Sequence, residues 1–408
     1  MMTLTLLSLL FATNLEAAPF DRMDSNGDGM LSRREFRGPP PAFGRLDRNK
    51  DGLISENEAR GTRLLPGRRH RQQKPAPKIS YNTKFIDTHN HLMPFTSRGG
   101  LDFFGAFKNS NNLFKGVGGQ LNLLMPPPQL TNQRGRYDAS ELLKISKNYP
   151  EMVRVLAGGG SLNSMIHQAY KRGSVSAALK EKFRKKAMSW LSLGAVGFGE
   201  MTAEHLSFNS HHPYLSAPAN HPLFLILSDV AAKYGVPIDF HMEAIPSNMK
   251  LPGLFESPPN PPTLKANIPA FESLLSHNRR TKIVWVHLGW DSTGKRGPEH
   301  TRKMLKKHSN LYMSIRLPTK MHLRHTPKSS RIFDSKSTIK PEWKEVFLEF
   351  PGRFVMGSDE FFVTPYGARP RHGSTGSTTG SAKFLSQLPV VVAKAIAMDN
   401  PIKLYKLK

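Results

Sequence analysis

The chain has no cysteine among its 408 residues. Disulfides, thiol nucleophiles, zinc–thiolate sites and a lipid anchor on cysteine are therefore excluded, and any metal must be held by His, Asp and Glu. Acidic residues are scarce: 31 Asp and Glu stand against 58 Lys and Arg, a formal charge of +27. Such an excess favours contact with nucleic acid, phosphoesters or acidic envelope polymers, and it serves solubility equally well. Long apolar runs are missing too, so nothing after the first residues is long enough to span a bilayer. What is present, 38% hydrophobic and 9% aromatic residues, supports a sizeable core and excludes global disorder.

The opening MMTLTLLSLLFATNLEAAP carries an apolar run from Leu4 to Ala12 and small residues at Ala17 and Ala18. Too short for a membrane span, it resembles a secretory signal peptide over residues 1–18, which predicts export to the periplasm or outside the cell. No Lys or Arg precedes the run and Glu16 stands just before the cleavage point, features that fit a short buried apolar segment instead.

Residues 19–60 contain an internal repeat with an offset of 23, in which FDRMDSNGDGMLSRREF aligns with FGRLDRNKDGLISENEA. Asp24, Asn26, Asp28, Met30, Ser32 and Glu35 of the first copy match Asp47, Asn49, Asp51, Leu53, Ser55 and Glu58 of the second. Both copies fit the EF-hand loop. A hard cation takes six to eight oxygens. Short side chains at positions 1, 3 and 5 therefore wrap inward and Gly29 or Gly52 makes the sharp turn. A backbone carbonyl at Met30 or Leu53 joins them, and the final Glu closes the site bidentately. Leu31 and Ile54 fall where paired loops meet. Pro39, Pro40 and Pro41 break any long helix between the loops, so two calcium ions in a compact structural or docking module are expected.

Residues 61–79 are rich in Arg, Lys, Gln and Pro and read as an extended basic linker. From residue 80 to 408 the chain alternates strand-like apolar runs with amphipathic stretches, the pattern of a parallel sheet. Eight runs stand out: Lys84–Asp87, Leu121–Met125, Val153–Ala157, Ala195–Glu200, Pro237–His241, Lys282–His287, Leu311–Ile315 and Phe354–Gly357. Helices are expected over Ala139–Asn148, Val175–Leu193, Pro222–Tyr234, Ile268–His277, Glu299–His308, Pro341–Phe350 and Lys383–Met398. An α/β fold of the (β/α)8 TIM barrel type accounts for this count, and an open doubly wound sheet is the rival. Polar residues at the C-terminal ends of the runs suit the barrel better.

Those polar residues carry the chemistry. The first run ends FIDTHNH, and residues two apart on a strand face the same side, so His89 and His91 can grip one ion together. Glu200 ends the fourth run, His241 the fifth and His287 the sixth, and Asp359 stands at the end of the eighth. In a barrel all six converge on one rim. Singly, each has a plain structural explanation: a satisfied core histidine, a helix cap, an N-cap. Arg316, ending the seventh run, can pair with a carboxylate or phosphate of the substrate or stand as a solvated loop residue, with the balance toward the latter. Glu204, His205 and Glu243 adjoin the ligands, and His211 and His212 lie in a loop that could cover the mouth. The run RPRHGSTGSTTGS over 369–381 reads as a flexible loop.

HxH after the first strand, His after the fifth and sixth, and Asp after the eighth resemble the amidohydrolase superfamily, in particular its second broad family of hydrolases and decarboxylases. IAMDNPIKLYKL is similar to that family's closing helix, and the likeness spans residues 84–408. It implies that His89, His91 and Asp359 bind one metal and that His241 and His287 bind or face a second. The segment GFGE around Glu200 resembles instead the Gly–Glu motif of TatD-type nucleases, and a bridging Glu200 would hold two cations.

Zinc is the first expectation from such ligands, with manganese or iron behind it. Metal-activated water, Asp359 as proton acceptor and His287 or a second metal polarising the substrate oxygen would cleave an ester, lactone or amide of a small molecule. The alternatives are a TatD-like phosphodiesterase or deoxyribonuclease, a metal-dependent decarboxylase, and a non-catalytic calcium-dependent scaffold. Nucleic acid is a less favoured partner than a small anionic substrate, and the EF-hand module offers a docking surface.

Overall fold

A computed structural model describes residues 20, 22–25, 30–48, 52–59, 84–115, 119–127, 138–208, 214–255, 259–317, 326–366 and 376–407. The expected leader and basic linker lie outside them, as do Asn26, Asp28, Asn49, Asp51, His211 and His212. The chain forms two compact units, residues 1–78 and 79–408. No helix among the described residues is long and apolar enough to cross a membrane.

In the first unit two short strands, Met30–Ser32 and Leu53–Ser55, pair antiparallel with Leu31 opposite Ile54, the meeting point expected of paired loops. Both side chains are fully buried and pack with Phe20, Phe43 and Ala59. The prolines start a helix rather than merely forbidding one. Pro40–Leu46 is helical with Pro in its first turn, where the missing N–H costs nothing.

In the second unit eight parallel strands close on themselves. They are Phe85–Met93 (β1), Gly119–Leu124 (β2), Val153–Gly158 (β3), Gly197–His205 (β4), Pro237–Met242 (β5), Lys282–Leu288 (β6), Leu311–Ile315 (β7) and Phe354–Met356 (β8). Each pairs with the next, and β8 returns to β1 through Met356 and Asp87, which makes the barrel and rules out the open sheet. A further strand, Glu360–Val363 (β9), runs beside the end of β1.

Alternation sorts the side chains. Outward residues such as Phe198, Phe240, Trp285 and Phe354 meet the helical layer in the main core. Inward ones such as Ile86, Leu123, Leu156, Val284 and Val355 fill the barrel. Three expected helices form with the predicted bounds: Ala139–Asn148, Pro222–Tyr234 and Ile268–His277. Their caps explain the precision, with Asp138 accepting from the Ala139 N–H and Gly235 left-handed after Tyr234. Three more agree within two residues, at Ala177–Ser192, Pro298–Lys307 and Pro341–Glu349.

Elsewhere the structure corrects the sequence reading. Phe103–Lys115 and Leu162–Arg172 are helices that were not expected. The first contains Gly105, Asn109 and Ser110, weak helix formers, but buries Phe103, Ala106 and Phe107 at helical spacing. The expected single helix Lys383–Met398 is split at Pro389, which supplies no N–H, into Gly376–Leu385 and Val390–Lys394, the latter continued by a π-helical stretch over Ala395–Asp399. The loop expected over 369–381 is therefore helical from Gly376.

Trp285 is fully buried and its Nε1 donates to the Met242 carbonyl at 2.7 Å. Trp285→Ala should cost roughly 3–5 kcal/mol and visibly lower the thermal midpoint. Val391→Ala, at an 80% exposed site, should stay within about 0.5 kcal/mol. Equal melting curves for the two variants would contradict this core assignment.

Candidate metal centre

Strict alternation would turn several of the candidate ligands away. Ile86 and Val286 both lie in the inner cluster, so His89, His91 and His287, at odd spacing from them, belong outside by simple parity. The strands break register to bring them in. β1 is irregular between Asp87 and Asn90, and β6 between Trp285 and Leu288. His287 takes a left-handed φ of 64° and Asp359 one of 55°, conformations that cost a residue with a side chain about 1–3 kcal/mol. Tertiary contacts hold both. The Asp359 N–H donates to the His89 carbonyl at 2.8 Å, and buried Arg296 donates to the carbonyls of Val286 and His287, each at 2.6 Å.

All six candidate ligands meet. Glu200 is the hub: its Oε2 lies 3.7 Å from His89 Nε2 and 3.4 Å from His91 Nε2, and its Oε1 lies 3.2 Å from His287 Nε2 and contacts His241 Nδ1. Asp359 Oδ1 is 3.8 Å from His89 Nε2 and 3.3 Å from His91 Nε2. Two sets, His89–Glu200–His287 and His89–His91–Asp359, each bring ligand atoms within 4.8 Å of one another. His241 joins through Glu200. The ring faces away from the centre are held in turn: His91 Nδ1 meets the Met125 carbonyl at 3.0 Å, and His89 Nδ1 lies 3.5 Å from Asp239 Oδ2. Asn163 braces the hub by donating to the Glu200 carbonyl at 2.6 Å and accepting from the Thr202 N–H at 2.9 Å.

The donor set fits a divalent cation. His89 Nε2, His91 Nε2 and His287 Nδ1 are buried with no hydrogen-bond partner, and buried polar atoms are otherwise nearly always satisfied. Imidazole and carboxylate with no thiolate suit zinc, manganese or iron.

Electrostatics divides the six. Burial alone would neutralise His89, but the carboxylates of Asp239 and Glu200 beside it outweigh burial and raise its pKa to about 10. His241 follows the same logic, raised to about 9 chiefly by the Glu200 charge against the pull of burial. His287 is lowered to about 3 by burial, so it stands neutral. Burial opposes the charge on Glu200, yet the imidazoles, His241 first, hold it well below its ordinary value. Burial likewise opposes the charge on Asp359, and the Arg316 guanidinium beside it overcomes this and keeps it ionised.

Arg316 is the clearest correction. It is not solvated: it is 4% exposed, its Nη1 lies 3.0 Å from Asp359 Oδ2, and its guanidinium stacks 3.4 Å from the Trp290 ring centroid. Phe208 stacks on Trp290 with centroids 5.3 Å apart. Glu243 is also buried and accepts from the Ser292 N–H and hydroxyl at 3.0 and 3.1 Å. The sequence reading missed Asp239, Arg296, Asn163 and Trp290. A lone Asp inside the apolar PIDFH strand was the one available signal, for Asp239; the others have none.

In the first unit, Asp47 is buried, and its Oδ2 accepts from the Gly52 N–H at 3.0 Å while Oδ1 has no hydrogen-bond partner. Glu35 Oε2 accepts from the Ser32 N–H and hydroxyl at 3.0 and 2.7 Å. Glu58 Oε1 accepts from the Arg48 N–H at 3.1 Å.

Glu204, beside the centre, accepts from the hydroxyls of Tyr214 and Ser216 at 3.0 and 2.8 Å. Burial raises its pKa from 4.5 to about 7. The folded state therefore binds this proton more tightly than the unfolded chain. Its contribution is intact below about pH 4.5 and is lost as pH rises toward 7. Glu204→Gln should leave the melting point of metal-free protein unchanged at pH 5 and raise it at pH 8, by the equivalent of at most ~3 kcal/mol. The same difference at both pH values would count against this assignment.

Comparison with known proteins adds independent findings. The amidohydrolase family model matches residues 161–407, a segment that holds Glu200, His241, His287 and Asp359, while His89 and His91 precede it. The EF hand model matches residues 17–38 and 42–58. No curated protein matches. Among solved structures, a probable 2-pyrone-4,6-dicarboxylic acid hydrolase from Acinetobacter baumannii with citric acid bound is 14% identical. It covers 79% of this chain and 100% of its own, with a TM-score of 0.45. A putative 2-pyrone-4,6-dicarboxylic acid hydrolase from Pseudomonas putida is 13% identical over 80% and 98% of the two chains, at 0.48. A 2,6-dihydroxybenzoate decarboxylase from Rhizobium is 13% identical over 80% and 99%, at 0.45. With more than half of its length matched by the family model, the chain belongs to the amidohydrolase family and is a metal-dependent enzyme built on its barrel.

Proposed function

We propose that this enzyme is an exported hydrolase that cleaves an ester, lactone or amide bond in a small anionic molecule. One observation carries the reading: buried, unsatisfied imidazole nitrogens from β1 and β6 converge with Glu200 and Asp359 beside a buried arginine. His89, His91, Glu200, His241, His287 and Asp359 would hold one or two divalent ions, zinc first. Such ions lower the pKa of a bound water toward ~7 and polarise an acyl oxygen.

The chain's own groups supply the rest. Asp359, kept ionised by Arg316, accepts the proton of the attacking water and passes it to the leaving group. Arg316 meets Asp359 through Nη1 and would present its other N–H groups to an anionic group of the substrate. Trp290 fixes the guanidinium plane from one face. Neutral His287 contributes a nitrogen lone pair or a hydrogen bond without adding charge.

Asp359→Asn should cut metal-dependent hydrolysis of nitrophenyl acetate by ~10²–10⁴ and retain most of the metal, whereas His89→Ala should lose metal by plasma mass spectrometry. Full activity in Asp359→Asn would refute its role. Cleavage of plasmid DNA with a steep salt dependence would point to the phosphodiesterase reading, which Glu200 and the basic chain favour. Release of carbon dioxide without consumption of water would point to a decarboxylase.

For the first unit we infer two calcium ions per chain with a structural role, supported by the loop pattern and by the unsatisfied Asp47 Oδ1. Titration of the full chain should show two sites, one of which disappears in Asp47→Ala. Uptake unchanged by that substitution would exclude Asp47 as a ligand.

A further inference from the structure

The short helix Asn400–Tyr405 lies under the barrel. Leu404, Tyr405 and Leu407 join Ile86, Leu123 and Val284 in the inner cluster, so the segment closes the end of the barrel opposite the metal centre. It is latched from several sides. Asn400 Nδ2 donates to the carbonyls of Pro351 and Phe354, each at 2.8 Å, and Lys406 Nζ donates to the Tyr234 carbonyl at 2.9 Å. Lys406 turns left-handed with φ 53°, and the Leu407 N–H returns to the Ile402 carbonyl at 3.0 Å.

This plug ends in a polar contact that a purely apolar seal would not need. The Tyr405 hydroxyl donates to Asp239 Oδ1 at 2.7 Å, and the other oxygen of that carboxyl group lies 3.5 Å from His89 Nδ1. Tyr405 is 1% exposed, while Asp239 and His89 are fully buried. We propose that Tyr405 is a positioning residue for the metal centre, acting through Asp239 to set the orientation and tautomer of His89. The chemistry is asymmetric in the useful way. A phenol occupies one carboxylate oxygen as a donor only, which leaves the second oxygen to the imidazole. The nearness of Nδ1 to Asp239 favours the Nδ1–H tautomer, which leaves Nε2 as the lone-pair nitrogen, and Nε2 is the atom facing Glu200 and Asp359. A ligand on the upper rim is thereby held by a residue from the lower end.

The inference rests on the reading that this centre binds a divalent ion, and the test separates the two. Zinc affinity by chelator competition and the visible spectrum of cobalt-loaded protein are measured for wild type, Tyr405→Phe, Asp239→Asn and Leu407→Ala. Tyr405→Phe keeps the ring and removes only the hydroxyl. It should weaken zinc binding by about 10–100-fold and alter the cobalt spectrum. Asp239→Asn should do the same, with the double variant no worse than the stronger single one. Leu407→Ala loosens the plug without touching the relay and should melt earlier while binding zinc like wild type.

Wild-type affinity and spectrum in Tyr405→Phe overturn the proposal, as does equal weakening in Leu407→Ala. Should Tyr405→Phe fail to fold, wild-type binding by Asp239→Asn overturns it instead. Wild-type protein that takes up neither zinc nor cobalt overturns the metal reading, and the proposal with it.

Discussion

The carboxylate of Glu200 sits among four buried imidazoles, and the rest of the upper barrel is arranged around keeping that charge in a buried position. Bringing an ion into a low-dielectric interior costs several kcal/mol unless partners compensate for it. Here the partners come from three different strands, so the compensation exists only when the barrel is closed. This explains why the bracing groups are themselves polar and buried. Asn163 holds the carbonyl of the hub and the N–H of Thr202 two residues on, and Arg296 ties down the turn that carries His287. Each loss would leave a buried group unsatisfied rather than merely remove a contact.

Much of this was legible in the sequence because it depends on local pattern. Strand runs, capped helices such as Pro222–Tyr234, and the position of each ligand after its run all follow from periodicity and turn chemistry. The paired loops were legible for the same reason, and Leu31 does face Ile54. What could not be read depends on contacts far apart in the chain. His89, His91 and His287 reach the site only through register breaks that contradict simple alternation. Arg316 looks like a loop residue until Asp359, 43 positions later, and the ring of Trp290 are placed around it. The helix Phe103–Lys115 has poor intrinsic propensity and exists because tertiary burial overrides it.

The two ends of this barrel are less independent than the usual division of labour suggests. In such barrels the strand C-termini carry chemistry and the opposite end carries stability. The line from Tyr405 through Asp239 to His89 crosses that division within a single layer of side chains. It runs along β5, where Asp239 and His241 share the inward face, so one strand carries both a candidate ligand and the group that orients another. Gly357 makes the same point sterically. A Cβ there would lie 3.0 Å from the Cβ atoms of both His89 and Ser314, so a side chain just after β8 would press on His89.

The overall charge of the chain is a poor guide to the charge of its site. The formal value is +27, yet the groups around the centre include four carboxyls, Glu200, Asp239, Glu243 and Asp359, against two guanidiniums, Arg296 and Arg316. The exposed lysines lie elsewhere, for example Lys185 on the helix Ala177–Ser192 and Lys306 on Pro298–Lys307. With His89 and His241 raised above neutrality the centre carries no excess of positive charge, and the pull on an anionic substrate would come from a divalent ion and from the N–H groups of Arg316 not spent on Asp359. The basic surface and the reacting groups pose separate questions, and only the second bears on which bond is broken. A polyanion drawn by the surface charge would still have to present a single anionic group to Arg316, at a site that is 4% exposed. That geometry favours a small molecule over a duplex.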